Sequence, residues 1–320
     1  MRIAYQLSDI EFDKNSVVTV GSFDGVHLAH AELLSEVVQR ARGRKARSVV
    51  VTFEPHPKEV LGGKAMTVLT TIEEKQRLCE QFGIDLFFAI RFTYEFSRQP
   101  FREFYLRYVI EGIGVAEVVE GYDHHFGRDR EGGVEDLLHL GKEFGFSVVA
   151  MKPVYDDEEV VSSSKIRQHL IDGRVDRAHR LLGRPYSLDG TVVRGDGRGK
   201  LLGYPTANLR MSSMKKIIPG NGIYVARAAT RDFEKYGMVS VGVRPTFETD
   251  GERIVEVHIL DFDGDLYGRP LEIHFMKRLR DELKFSSAED LVRQMDLDKQ
   301  ESLHFIGTFG DGVTQSNNRT

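Results

Sequence analysis

The period of the apolar residues changes near residue 184, and no other feature of the chain constrains its fold as tightly. Upstream, apolar runs at 17–20, 48–53, 86–90, 117–120 and 146–150 alternate with helical patterns such as 31–40, where Leu33, Leu34, Val37 and Val38 recur at helical spacing. That alternation predicts an α/β domain whose parallel sheet is covered by helices, with ligands gathering at the carboxyl ends of the strands. Downstream, Gly183-Arg184-Pro185 breaks a helix, and short runs follow at 188–193, 222–229, 238–243, 253–260 and 271–275 before a helical pattern at 288–295. Such spacing predicts a small, closed or nearly closed β-barrel with one packed helix. The expected domains are residues 1–184 and 185–308, with the polar stretch 309–320 a frayed tail. A chain of 320 residues exceeds what one core usually serves, which agrees with this division.

Composition removes several classes of function. A formal charge of -5 argues against a general nucleic-acid binder, which needs a dominant cationic surface to displace counterions. Cys79 is the single cysteine, so an internal disulfide, a cysteine zinc cluster and an iron–sulfur site are all excluded, and a reducing compartment is favoured. The amino terminus reaches Asp9, Glu11 and Asp13 without the apolar stretch of a signal peptide, and no run approaches membrane-spanning length. A cytoplasmic protein acting on small molecules, with no nucleic-acid or membrane partner, is expected.

Gly21-Ser22-Phe23-Asp24-Gly25-Val26-His27-Leu28-Ala29-His30 follows an apolar strand and opens a helix. Successive backbone N–H groups and a helix N-terminus then stand where phosphate can sit. His27 and His30, three apart, would project from one face of the first helical turn toward the same polyphosphate. The arrangement suits nucleotidyl transfer, in which a phosphate attacks the α-phosphorus of ATP and the site stabilises the departing pyrophosphate. An isolated pair of this spacing is more often a surface or capping feature. The strand before it and the amphipathic helix after it favour a ligand site, and zinc lacks a third supporting ligand.

With these residues the chain resembles the bacterial bifunctional riboflavin kinase/FMN adenylyltransferase family, also called FAD synthetase. The resemblance implies a Rossmann-like nucleotidyltransferase domain followed by a β-barrel riboflavin kinase domain with a C-terminal helix. It covers nearly the whole chain and departs at Ala29, where the family's His-x-Gly-His signature has glycine. It places Gly21, Phe23, Asp24, Gly25, His27, His30, Ser162, Ser163 and Arg167 at ATP. Phe53-Glu54-Pro55-His56-Pro57 and the loop from Gly121 to Arg130 look like segments near the flavin nucleotide, which implies His56, Asp123 and Arg130 at FMN. His124 stands there in place of the usual phenylalanine.

In the second half, Gly195-Asp196-Gly197-Arg198-Gly199-Lys200-Leu201-Leu202-Gly203 precedes Tyr204-Pro205-Thr206-Ala207-Asn208. Glycine-rich backbone can wrap a polyphosphate closely, although this loop fits neither the P-loop nor the dinucleotide pattern. Pro205-Thr206-Ala207-Asn208 resembles the riboflavin kinase signature, which implies Gly195, Gly197, Gly199, Lys200, Gly203, Thr206 and Asn208 at ATP, with Thr206 and Asn208 at Mg²⁺. Hard Mg²⁺ prefers such oxygen donors. Strand alternation puts Glu256, His258 and Leu260 on one face at the barrel mouth, and the resemblance makes Glu256 the general base for the ribityl hydroxyl of riboflavin. Arg280 is carried over as a flavin contact. Two alternatives stay open: a riboflavin kinase whose first domain has lost adenylylation, and a flavin-binding regulatory protein without turnover.

Overall fold

The structure, a computed structural model, describes residues 1–62, 66–122, 127–128, 131–195, 197–243 and 253–316, with side chains for all of these except 198, 200 and 309–316. The chain divides into two compact units, Met1–Ser163 and Ser164–Thr320.

In the first unit, β1 (Arg2–Ala4), β2 (Ser16–Val20), β3 (Arg47–Glu54), β4 (Leu86–Arg91), β5 (Glu117–Glu120) and β6 (Ser147–Ala150) form one sheet in the order β1-β4-β3-β2-β5-β6. Every neighbouring pair is parallel. The α-helices are α1 (Leu28–Arg44), α2 (Pro57–Leu61), α3 (Ile72–Phe82), α4 (Tyr94–Ser97), α5 (Phe101–Phe104) and α6 (Val134–Phe144), joined by a π-helix at Tyr105–Ile113 and a 3₁₀ turn at Leu7–Asp9, and a small hairpin pairs β7 (Tyr155–Asp156) with β8 (Glu159–Val160). Side chains alternate across a strand, so adjacent residues enter opposite cores. Val17, Val50 and Phe87 join Leu34, Val37 and Cys79, whereas Val18, Val51 and Phe88 join Phe104, Val109 and Leu137. Burial of both faces is why these strands read as continuous apolar runs. The strand order reverses between β2 and β5, the position where doubly wound sheets take ligands. There the buried Glu120 accepts the Val20 N–H at 2.8 Å and ties the two strand ends together.

In the second unit, β9 (Tyr186–Val193), β10 (Ala207–Met211), β11 (Gly222–Ala229), β12 (Glu234–Val243), β13 (Arg253–Ile259) and β14 (Pro270–Arg280) close into a barrel in the order β10-β13-β12-β11-β14-β9. All of its ladders are antiparallel. Leu188, Val192, Val239, Val241, Val255, Val257, Ile273 and Phe275 are buried and alternate with more exposed neighbours. Among the described residues the remaining helices are α7 (Ser163–Ile171), α8 (Val175–Leu182), a single turn α9 (Arg198–Leu201), and α10 (Ala288–Ser316).

Two expected boundaries move. The compact units part at 163/164 rather than 184/185, because α8 turns its buried Val175, Ala178, Leu181 and Leu182 onto β9 and β14 of the barrel unit. Helical periodicity reveals an apolar face but not which core the face covers. The polar segment expected as a tail from 309 is helical as far as Ser316, as the end of α10. Extending a nucleated helix adds one hydrogen bond per residue fixed, so polar composition alone does not end it.

Candidate active sites

Between β2 and α1 the chain turns sharply, with φ of 46°, 89° and 39° at Phe23, Gly25 and Val26. Left-handed backbone is unfavourable for phenylalanine and valine, so the surroundings must hold it. Asp24 Oδ1 accepts the N–H groups of Leu69 and Thr70 at 2.9 and 3.2 Å, and Gly25 N–H donates to Thr70 Oγ1 at 2.9 Å. The Ser22 carbonyl accepts from Thr52 Oγ1 at 3.2 Å and Lys75 Nζ at 2.9 Å. Phe23 and Asp24 are buried, and the Asp24 carboxylate builds the turn. Gly21 donates its N–H to Val51 O at 3.0 Å, and a Cβ there would come within 3.1 Å of the Phe23 ring.

His27 does not lie in the first helical turn, as its spacing suggested. It is the extended N-cap of α1, and its Nδ1 accepts the His30 N–H at 3.4 Å. An accepting Nδ1 puts the ring proton on Nε2, which becomes the donor. The His27 and His30 rings stack with centroids 3.7 Å apart and planes 13° apart. The Phe23 ring lies 5.2 Å from that of His30. The turn thus brings two imidazoles to a helix N-terminus, where the backbone dipoles already favour an anion.

His56, at the end of β3, caps α2 in the same way, its Nδ1 accepting the Lys58 N–H at 3.1 Å. Asp123 and Arg130, with His124, lie outside the described residues. The Ser163 hydroxyl donates to the Asp24 carbonyl at 2.9 Å, so it braces the turn. Ser162 precedes α7, whereas Arg167 falls four residues after Ser163 on that helix and counts with the second unit.

On the barrel, Glu256 of β13 pairs across the sheet with Asn208 of β10, and Thr206 Oγ1 donates to Glu256 Oε2 at 3.3 Å. His258 Nδ1 sits 2.9 Å from the Pro205 carbonyl, and its ring meets Tyr204 edge-on at 5.0 Å. Leu260 does not share this face: β13 ends at Ile259, and Leu260 turns into the core. The glycine-rich segment is the long connection between β9 and β10, and it lies against the signature residues. A Cβ on Gly195 would be 2.2 Å from Asn208 Nδ2, and one on Gly199 would be 2.3 Å from the Tyr204 carbonyl. Close approach therefore explains these two glycines, whereas Gly197 and Gly203 hold φ of 70° and 81°. Lys200 lies in α9, and its side chain is outside those described.

Arg280, expected at the flavin, is held by α10. Its Nε and Nη2 donate to the two carboxylate oxygens of Asp298 on α10 at 2.8 and 2.6 Å, a bidentate pair in which Asp298 is buried. A second contact holds α10 down, because Asp296 accepts the hydroxyl of Tyr204, whose pKa burial and this carboxylate push up to about 12. Asp298→Ala would strand a largely buried guanidinium. We expect it to lower the stability of the barrel unit by about 3 kcal/mol, read from its denaturant midpoint, with Asp298→Asn costing less. Sequence reasoning missed Asp296, Asp298 and Lys75. Only Lys75 left a signal, a charged residue on the stripe between Ile72 and Cys79 of α3.

Known proteins match both halves. The family model for FAD synthetase matches residues 9–165, and that for riboflavin kinase matches residues 182–306. The bifunctional riboflavin kinase/FMN adenylyltransferase of Listeria monocytogenes is 35% identical over 302 residues, covering 93% of this chain and 95% of its own. The chain belongs to the bifunctional riboflavin kinase/FMN adenylyltransferase family. A Bacillus subtilis member is 32% identical over 301 residues, covering 92% of this chain and 94% of its own. The family fold also appears in a Streptococcus pneumoniae crystal structure titled as a macrolide-efflux protein, with TM-score 0.87, 33% identity, and coverage of 94% of this chain and 98% of that one. In this family member, no helix among the described residues is long and apolar enough to cross a membrane.

Proposed function

We propose that this enzyme phosphorylates riboflavin to FMN on the rim of its barrel and adenylylates FMN to FAD at the β2–α1 turn, consuming ATP in both steps. The observation that carries the reading is the convergence of Thr206, Asn208 and Glu256 beneath a glycine loop too close-packed to accept a side chain at 195 or 199. In the kinase step Glu256 takes the proton of the ribityl hydroxyl, the freed oxygen attacks the γ-phosphorus, and ADP departs. In the adenylyl step an FMN phosphate oxygen attacks the α-phosphorus and pyrophosphate departs, with no protein nucleophile. His27 and His30 donate to the charge growing on that leaving group, and His56, Asp123 and Arg130 are assigned to FMN.

The barrel residues fit Mg²⁺, because the Thr206 hydroxyl and the Asn208 side-chain carbonyl are hard oxygen donors set beside the Glu256 carboxylate. Thr206 and Asn208 would hold it, and when bound it neutralises charge on the ATP phosphates. A lone, buried Cys79, its thiol pushed up to about 12 by burial, suits a reducing cytoplasm.

Purified protein mixed with riboflavin, Mg²⁺ and ATP is expected to yield FMN first and FAD second on product chromatography. FMN accumulating without FAD would move the assignment to a kinase with an inactive first domain, and neither product would leave only flavin binding.

A further inference from the structure

Lys75 is the most deeply buried cation among the described residues of the first unit, only 2% exposed, and its ammonium reaches the turn that opens α1. Its ammonium donates to the Ser22 carbonyl at 2.9 Å, beside the Thr52 hydroxyl bound to the same oxygen. The same turn contains the unfavourable backbone of Phe23 and Val26 and leads directly into His27. Strain of this kind persists only where neighbouring contacts over-determine it.

We infer that Lys75 is a positioning residue for adenylyl transfer, clamping the Ser22 carbonyl so that the 22–26 turn delivers the imidazoles of His27 and His30 to a nucleotide polyphosphate. The inference rests on the adenylyltransferase reading of this unit. Burial also holds the Lys75 ammonium below the ordinary lysine range, with opposing attraction from Asp24 in the turn, Glu54 at the end of β3 and Cys79 one turn along α3. Two consequences have opposite sign. As pH rises through the lowered folded-state pKa, the domain sheds a desolvated charge and gains stability up to the unfolded pKa. The clamp weakens over the same window.

The test uses the full chain and two assays, FAD formation from supplied FMN and FMN formation from riboflavin. Lys75→Met keeps the length of the side chain and removes the donor. It is expected to lower kcat/KM for ATP in adenylylation by about 10- to 100-fold, the usual range for a lost charged hydrogen bond, and to leave riboflavin phosphorylation unchanged. Wild-type enzyme should show an alkaline rise in KM for ATP in adenylylation without loss of thermal stability, and Lys75→Met should lack that rise. The wild-type profile tests the inference even where the variant fails to fold. An unchanged KM for ATP in Lys75→Met, or a wild-type alkaline loss that tracks unfolding, overturns it. If wild-type protein makes no FAD from FMN under any condition, the adenylyltransferase reading falls and takes this inference with it.

Discussion

Glu256→Gln is expected to slow riboflavin phosphorylation by roughly 10²–10⁴-fold, the usual contribution of a positioned general base, while FAD formation from supplied FMN continues at the wild-type rate. The substitution keeps the shape of the side chain and an oxygen able to accept from Thr206, which donates to Glu256 Oε2 at 3.3 Å. The ladder pairing Glu256 with Asn208 and Ser240 is made by the backbone and survives the change. What disappears is the ability to take a proton, so kcat should fall with little movement in KM for riboflavin. A loss in KM alone, with kcat preserved, would assign Glu256 to binding and send the search for the base elsewhere on the rim.

His27→Ala is the mirror experiment. Removing one donor from a site that stabilises developing negative charge typically costs about 10²–10³ in kcat, so FAD synthesis should collapse by that factor while FMN synthesis persists. Two losses combine at this position. Alanine removes the Nε2 donor and also the N-cap acceptor that the His30 N–H meets at the start of α1. Steady-state assays of the two half-reactions on one preparation separate catalysis from folding, since both domains share a chain and one serves as the control for the other. Equal loss of both activities would point to a damaged protein, and loss of FMN synthesis alone would reverse the domain assignment.

Much of this architecture was legible because burial on two faces and burial on one face write different patterns. The runs around Val17, Val50 and Phe87 have no polar alternation because each residue has a dry core waiting on its own side of the sheet. The barrel strands alternate because one face meets the interior and the other solvent. Family motifs supplied the rest: the turn at 21–30 joins β2 to α1, and the Pro205-Thr206-Ala207-Asn208 signature leads into β10. Distance along the chain hid the remaining partners. Asp298, which pairs with Arg280, lies eighteen residues away from it. Leu69 and Thr70, whose N–H groups hold Asp24, lie on the far side of α1 and β3 in sequence.

From its amino acids alone the chain determined two cores, a strand-to-helix turn carrying His27 and His30, and a second site carrying Thr206, Asn208 and Glu256. Periodicity and local motifs depend on neighbours in sequence, so they can be read there. Tertiary structure alone decided that α8 belongs with the barrel, that α10 anchors Tyr204 and Arg280 through Asp296 and Asp298, and that Lys75 reaches Ser22. Those are choices of partner among chemically equivalent groups, and only the closing of the chain on itself selects between them.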